Sequence, residues 1–510
     1  MKDNTNTWFE NGEQLVDQRH LLLPPTWAGT GNQASYQPEQ GHLLHESGRT
    51  RFVVHRLCQL LAMAQDKVIV ASFLLADEEF EAALLAAAQR GVRVYVLLAI
   101  ETHLGREESE EAFAKSVLAQ HTAMLVRMAG QVLFRSAPHF HAKILITDPD
   151  NVPAGVLLTA NLTSEALNRN EELAVELNKT EIAEALDLLG WAMWESAEHE
   201  LLEPNGNFRD VKPMQCKPHP AIGKRIFATT AQVNSLREQA IALISSPKNR
   251  LIVSCFGWDV DHEVVQRICA QAKAGVEVTI LARIRPSSMP ALLTLAQAGA
   301  QVFGFKWLHA KAIWTDANGA MVMTANLQKD GLDQGFELGV MLHDARASEL
   351  KQRLDAWAGA AKWQLHAAPR LGGLSGAVQI WQKQKLQEAV INEMEDVQLA
   401  SVVAKSADEV APTAPAMPAE PENGALPKLA HSVRYTWPIA PPKLAAKAKE
   451  VYRPAKGKNP ASISYKPPVF REPNGRLVVA ITRPSEIPVA KAVLQEVQGV
   501  AIVVMQGNAA

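Results

Sequence analysis

Two stretches of this chain repeat one another, and that repetition limits what the chain can fold into. HAKILITD at 141–148 is followed by TANLT at 159–163, and HAKAIWTD at 309–316 is followed by TANL at 324–327. Each copy has a histidine, a lysine two residues on, an aspartate five residues after that, and then a Thr-x-Asn on the next apolar run. A glutamate follows in each, Glu172 in NEELAVEL and Glu337 in GFELGVML. A strand alternates its faces with period two, so His141 and Lys143 share a face, as do Thr159 with Asn161, His309 with Lys311, and Thr324 with Asn326. The second copy turns through Asp316-Ala317-Asn318-Gly319, an Asn-Gly hairpin signal. The pattern predicts two β-hairpins, each presenting an imidazole, an ammonium, a hydroxyl and an amide together. Such a surface suits a phosphate diester, with donors for its oxygens and a nucleophile for phosphorus.

The flanking segments repeat in the same order. Helix-like RFVVHRLCQLLAMAQ precedes the apolar strand KVIVASFL, then the helix EEFEAALLAAAQR ended by Gly91, then the strand VRVYVLLAI. Later REQAIALISS, RLIVSCF, DHEVVQRICAQAKA ended by Gly275, and VEVTILARI follow the same sequence of elements. Apolar β-branched runs alternating with amphipathic helices indicate βαβ units, hence an α/β fold with a parallel sheet. A further helix is expected before each motif, near 107–129 and 289–299, and one after each, near 181–200 and 344–361. The chain is therefore an internal duplication. Two lobes would pack about a pseudo-two-fold axis, and hairpins lying at that axis would bring both histidines to one pocket.

The expected organisation is an N-terminal extension at 1–48, lobes at 49–205 and 225–368, and a helical segment at 369–405. A Pro-rich linker at 406–470, acidic then basic, leads to a small βαβ-like module at 471–510. The basic part of the linker carries ten Lys or Arg against Glu450 alone over 428–471, with Tyr435, Trp437 and Tyr452 among them. It is either a solvated linker or an electrostatic arm for nucleic acid.

The paired motif resembles the phospholipase D superfamily, whose members carry H-x-K-x4-D twice, in one chain or across a dimer. The resemblance covers roughly 49–368. It implies an α/β architecture of two similar α/β/α lobes, to which this chain adds the linker and the C-terminal α/β appendage. Two departures stand out: the family's Gly-Ser reads Leu158-Thr159 and Met323-Thr324, and the first copy has three extra residues between aspartate and threonine. The resemblance implies a phosphohistidine mechanism needing no metal and no cofactor. One imidazole attacks phosphorus, the other protonates the leaving oxygen, and water or an alcohol resolves the intermediate. The catalytic set is then His141, Lys143, Asp148, His309, Lys311 and Asp316. His141 is assigned as nucleophile and His309 as acid by family analogy, since the sequence does not break the symmetry. The lysines would hold non-bridging oxygens, Thr159, Asn161, Thr324 and Asn326 would bind phosphate, Glu172 and Glu337 would fix the imidazole tautomers, and the aspartates would support the frame.

His139 shares the strand face of His141 and either extends the pocket or sits at the strand edge. Trp258 either lines the pocket mouth or belongs to the core, and Arg283 and Arg285, at a strand end, either reach a polyanion or stay at the surface. The superfamily includes nucleases, phospholipases and phosphatidyl transferases, and the fold does not choose among them. The chain is 47% hydrophobic with net charge −3. The N-terminus has neither a basic nor an apolar signal region, and no run reaches membrane-span length, so a cytoplasmic protein is expected. The four cysteines form no CxxC pair and read as reduced thiols. With the LHAK context, which resembles soluble bacterial HKD nucleases of restriction and phage defence, and the basic arm, the expectation is a nuclease with nucleic acid as partner. A protein partner could act through the C-terminal module. The alternatives are a soluble phospholipase D or phosphatidyl transferase, and an inactive nucleic-acid-binding module.

Overall fold

The computed structural model describes residues 22–32, 36–38, 41, 43–48, 50–99, 111–137, 140–204, 207–212, 214, 217–317, 319–391, 469–471, 477–481 and 500–504. Residues 30–365 form one unit that contains both repeats; residues 1–29 and 366–510 belong to another.

Each repeat builds a mixed sheet with the same strand order. In the first lobe the elements are β1 (Leu44–Glu46), α1 (Phe52–Met63), β2 (Lys67–Ser72), α2 (Glu78–Gln89), β3 (Arg93–Ala99), α3 (Glu111–Met128), β4 (Leu133–Ala137), β5 (Ile144–Thr147), β6 (Ala154–Leu158), β7 (Leu173–Glu176) and α4 (Lys179–Trp191). The second lobe has β8 (Ile226–Thr229), α5 (Ser235–Ser245), β9 (Arg250–Cys255), α6 (Glu263–Lys273), β10 (Glu277–Arg283), α7 (Met289–Gln297), β11 (Gln301–Phe305), β12 (Ala312–Thr315), β13 (Gly319–Met323), β14 (Glu337–Leu342) and α8 (Asp344–Ala360). The shared order is β4-β3-β2-β5-β6-β7 in one and β11-β10-β9-β12-β13-β14 in the other. Only the βαβ half is parallel; each motif hairpin adds antiparallel strands to its edge. The parallel sheet expected from sequence is thus half of a mixed one, because tight hairpin turns can join only antiparallel strands.

The local signals act as physics requires. Gly91 and Gly275, each at φ 92°, end α2 and α6 in the left-handed conformation that glycine adopts without a Cβ clash. Asp77 caps α2 by accepting the Phe80 N–H, and Asn178 forms a capping box with Glu181 at the start of α4. The N-terminal extension contributes β1, which pairs antiparallel with β7 at the edge of the first sheet.

A continuous apolar core runs between the lobes. It includes Phe140, Leu173, Ile182 and Leu188 of the first, and Leu308, Phe336, Leu350 and Trp357 of the second. Burying one such side chain is worth about 1.5–3 kcal/mol. Glu181 of α4, fully buried, pairs with Arg346 of α8 at 2.7 Å and fixes the docking polar-side.

The helix expected within 369–405 is not what forms at 376–391. Gly376–Gln382 and Lys385–Ile391 pair antiparallel, and the turn residues Lys383 and Gln384 both have positive φ. Val378 and Ile380 are buried with more exposed residues between them, a period of two rather than 3.6. Gly376–Gln382 also pairs with Thr26–Gly29. Residues 392–405 and the basic stretch 428–468 lie outside the described residues. Of the C-terminal module, Val469–Arg471 pairs antiparallel with Leu477–Ile481, which pairs parallel with Val500–Val504.

Candidate active site

The two motifs meet through crossed pairs. His141 and Lys143 precede β5, and His309 and Lys311 precede β12, so both pairs emerge where β2 and β9 end. His141 Nδ1 lies 2.6 Å from Oε1 of Glu337, which opens β14 of the other lobe. His309 Nδ1 lies 2.7 Å from Oε1 of Glu172, just before β7. The main chain is crossed in the same way. The His141 N–H donates to Phe336 O at 3.1 Å, and the N–H groups of His309 and Ala310 donate to Glu171 O at 3.0 and 2.8 Å.

These glutamates are fully or almost fully buried. Burial pushes the Glu172 carboxyl up, but the charge and hydrogen bond of His309, then Lys311 and the Thr159 hydroxyl, outweigh it and hold it below the ordinary range. Glu337 is held low against the same burial by His141, Lys143 and Thr324. A carboxylate facing Nδ1 takes the Nδ1 proton as a hydrogen bond and leaves the Nε2 lone pair for chemistry. Both lysines are completely buried beside their histidines. Lys143 Nζ donates to His141 O at 2.6 Å, and Lys311 Nζ is 3.4 Å from Thr159 O of the first lobe. Buried ammonium groups in a low-dielectric setting act strongly on an oxyanion.

The threonines, expected as phosphate contacts, are turned elsewhere. Thr159 donates to Glu172 Oε2 at 2.6 Å and accepts the Leu173 N–H at 2.9 Å. Thr324 donates to Glu337 and accepts the Leu338 N–H at 3.0 Å. Each hydroxyl has one proton, and here the buried carboxylate takes it. Asn161 keeps a buried Oδ1 with no hydrogen-bond partner among the described residues, and Asn326 Oδ1 lies 3.8 Å from Cys255 Sγ.

The aspartates, grouped with the catalytic residues on the sequence, sit at the far ends of β5 and β12, five residues or about 16 Å of extended chain from the lysines at ~3.3 Å per residue. Asp148 accepts the N–H groups of Gln65, Asp66 and Lys67 at 2.9, 2.8 and 3.0 Å. Asp316 accepts those of Lys248 and Asn249 at 2.8 and 2.9 Å. Each ties its hairpin to the start of the neighbouring strand.

Two aromatic residues escaped the sequence reading. Phe73 packs edge-on against His141 at 5.1 Å between centroids, and Phe256 against His309 at 4.8 Å. Both follow equivalent strands, ASF and SCF, so alignment of the two repeats was the available signal. Trp258 belongs to the core, 2% exposed, with its indole N–H donating to Cys255 O at 3.0 Å. Arg283 and Arg285 flank Phe256. His139 lies outside the described residues.

Comparison with known proteins agrees with this duplicated site. The family model described as "Cardiolipin synthase, PLD-like domain" matches residues 57–194 and 240–359. The chain is 22% identical over 286 residues to cardiolipin synthase A of Pectobacterium atrosepticum, spanning 52% of this chain and 58% of that protein. It is 23% identical over 321 residues to cardiolipin synthase B of Salmonella typhi, spanning 56% and 73%. Among solved structures, the phosphatidylserine synthase of Haemophilus influenzae superposes with TM-score 0.48 at 11% identity, covering 68% of this chain and 90% of that one. The two family matches together take in half of the chain and fall on the two lobes that carry the crossed histidine–glutamate pairs, and the chain belongs to the phospholipase D-like family.

Proposed function

We propose that this protein is a phosphatidyl transferase that moves a phosphatidyl group between alcohols through a phosphohistidine. The observation that carries the chemistry is the crossed arrangement of His141 with Glu337 and His309 with Glu172, each beside a buried lysine. His141 Nε2 attacks phosphorus, a P–N bond forms, and the P–O bond to the departing alcohol breaks. The departing oxygen takes a proton from His309. The acceptor hydroxyl then attacks phosphorus, gives its proton to His309, and the P–N bond breaks. Lys143, Lys311 and the Asn161 side chain stabilise the non-bridging oxygens.

The lipid assignment is supported by the family description and by relatives named as cardiolipin synthases. The expectations of a nuclease, of DNA binding and of a phage-defence setting receive no support from these relatives. Among the described residues no helix is long and apolar enough to cross a membrane.

The test is to incubate the full chain with phosphatidylglycerol vesicles in EDTA, beside His141→Ala and His309→Ala. Cardiolipin and glycerol should form with the unaltered chain and with neither variant. Intact lipid together with histidine-dependent cleavage of DNA or RNA would overturn the reading in favour of a nuclease.

A further inference from the structure

A buried histidine that the mechanism does not use stands behind the first repeat's half of the site. His121, on α3, is fully buried, and its Nδ1 lies 3.1 Å from Leu75 N and 3.0 Å from Leu75 O. A neutral imidazole nitrogen donates or accepts but not both, and either bond fixes the Leu75 main chain. Burial pushes the imidazole down to about 4, so it is neutral near pH 7. Its Nε2 has no hydrogen-bond partner among the described residues. Burying such a nitrogen costs stability. A leucine would avoid that cost and would forfeit the bond to Leu75.

The segment that His121 holds reaches the chemistry. Phe73 packs edge-on against His141 at 5.1 Å between centroids, and its ring centroid is 6.0 Å from Lys143 Nζ. Leu75 and Ala76 pair parallel with Leu162 and Thr163, directly after Asn161. Ser72 Oγ ties the two runs again, donating to Leu74 O at 2.6 Å and accepting the Leu162 N–H at 3.3 Å. Leu118, three residues before His121 and on the same helix face, packs with Leu74 against Phe73 and Ala99.

The second repeat is built differently. Trp258 bridges to Leu327 as Leu75 pairs with Leu162, and its own indole N–H donates to Cys255 O at 3.0 Å. The helix α7 has nine residues against eighteen in α3. The segment beside His309 is therefore anchored from within, and the segment beside His141 from a separate helix. We propose that His121 is a positioning residue for formation of the phosphohistidine: through Leu75 it holds Phe73, and with it the free His141 imidazole, in line for attack on phosphorus. The inference rests on the proposed reaction, with His141 as its nucleophile. Alignment of a free nucleophile is what a lost contact degrades. In the second step the P–N bond itself keeps His141 on phosphorus, so resolution of the intermediate depends less on His121.

The test follows bis(p-nitrophenyl) phosphate by rapid quench with the full chain. As the P–N bond forms, the P–O bond to nitrophenolate breaks, so the nitrophenol burst reads the first step and decay of the phosphoenzyme reads the second. In His121→Leu the burst rate should fall at least about tenfold and the decay rate less than about threefold. His121→Asn, whose amide sits where Nδ1 does, should recover the burst to within about threefold, whereas His121→Gln, whose amide reaches the Nε2 position, should not. A second arm needs no turnover. In protein labelled with carbon-13 histidine, the His141 ring resonance, identified by its loss in His141→Ala, should move in His121→Leu and return in His121→Asn, with the His309 resonance unmoved in both. Absence of a burst in the unaltered chain would mark failure of the reaction reading, and the resonance would then decide the contact by itself. A burst unchanged in His121→Leu, equal slowing of both steps, or an unmoved His141 resonance would overturn the proposal. If His121→Leu fails to fold, Leu118→Ala, at a partly buried position, loosens the same clamp and should slow the burst in the same way; an unchanged burst there would overturn it too.

Discussion

His141 of the first repeat is oriented by Glu337 of the second, 2.6 Å away, and not by the glutamate of its own repeat. Neither lobe therefore holds a complete site. Glu337→Gln keeps the shape but can present an amide N–H to Nδ1, which favours the wrong tautomer. Turnover of bis(p-nitrophenyl) phosphate should fall about 10²–10⁴-fold, with Glu172→Gln falling comparably. Retention of more than a tenth of the activity in both variants would show that the crossed pairs do not orient the imidazoles.

The proposed reaction gives the two histidines different tasks, and a good leaving group separates them. A p-nitrophenolate departs without a proton, so His309→Ala should still release a stoichiometric burst of nitrophenol and accumulate an acid-labile phosphoenzyme. His141→Ala should give no burst. Rapid-quench measurement reads both. A burst from His141→Ala and none from His309→Ala would reverse the assignment.

Asp148 works for the fold. Burial pushes its carboxyl up, but N–H donation from Asp66, Lys67 and Gln65 outweighs that and leaves it below the usual range. A carboxyl lowered by folding adds stability that is present above its unfolded pKa and is lost as pH falls through the folded value. Asp148→Asn should lower the unfolding free energy at pH 7 by roughly 1–3 kcal/mol, and the deficit should shrink in acid. Turnover per folded molecule at low temperature should stay within a few-fold. A large kcat loss with unchanged denaturation midpoint would return Asp148 to the chemistry.

The hairpins, the βαβ units and the glycine caps were legible in the sequence because each follows from local spacing: period two around His141 and His309, apolar helix faces, and Gly91 and Gly275 after helices. What spacing cannot carry is which repeat a side chain answers to. Glu172 and Glu337 lie at equal offsets from their own threonines, and only docking of the lobes shows that each serves the other's histidine. The threonines were misread for a related reason. Thr159 and Asn161 both follow the end of β6, but whether the Thr159 hydroxyl meets a ligand or a buried carboxylate depends on Glu172 arriving from the start of β7. At 376–391, alternating Val378 and Ile380 and a Lys-Gln turn were masked by residues that also favour helices.

Glu171 carries a pH dependence of opposite sign. Its partly buried carboxyl is pushed up to about 7, first by burial and then by the negative charges of Glu46 and Glu172. Arg353 pairs with Glu46 at 2.8 Å and offsets part of that charge. The folded state then holds a proton that the unfolded chain, with a carboxyl pKa near ~4.3, has already lost. Stability contributed by this group is therefore present at low pH and is lost as pH rises toward 7. Glu171→Gln removes the charge and keeps the main-chain oxygen that accepts the His309 and Ala310 N–H groups. The variant should be more stable than the unaltered chain by roughly 1–3 kcal/mol at pH 8, and equal to it near pH 4. Urea denaturation at the two pH values measures this directly. A difference that is the same at both would mean that the substitution acts through packing and not through the charge.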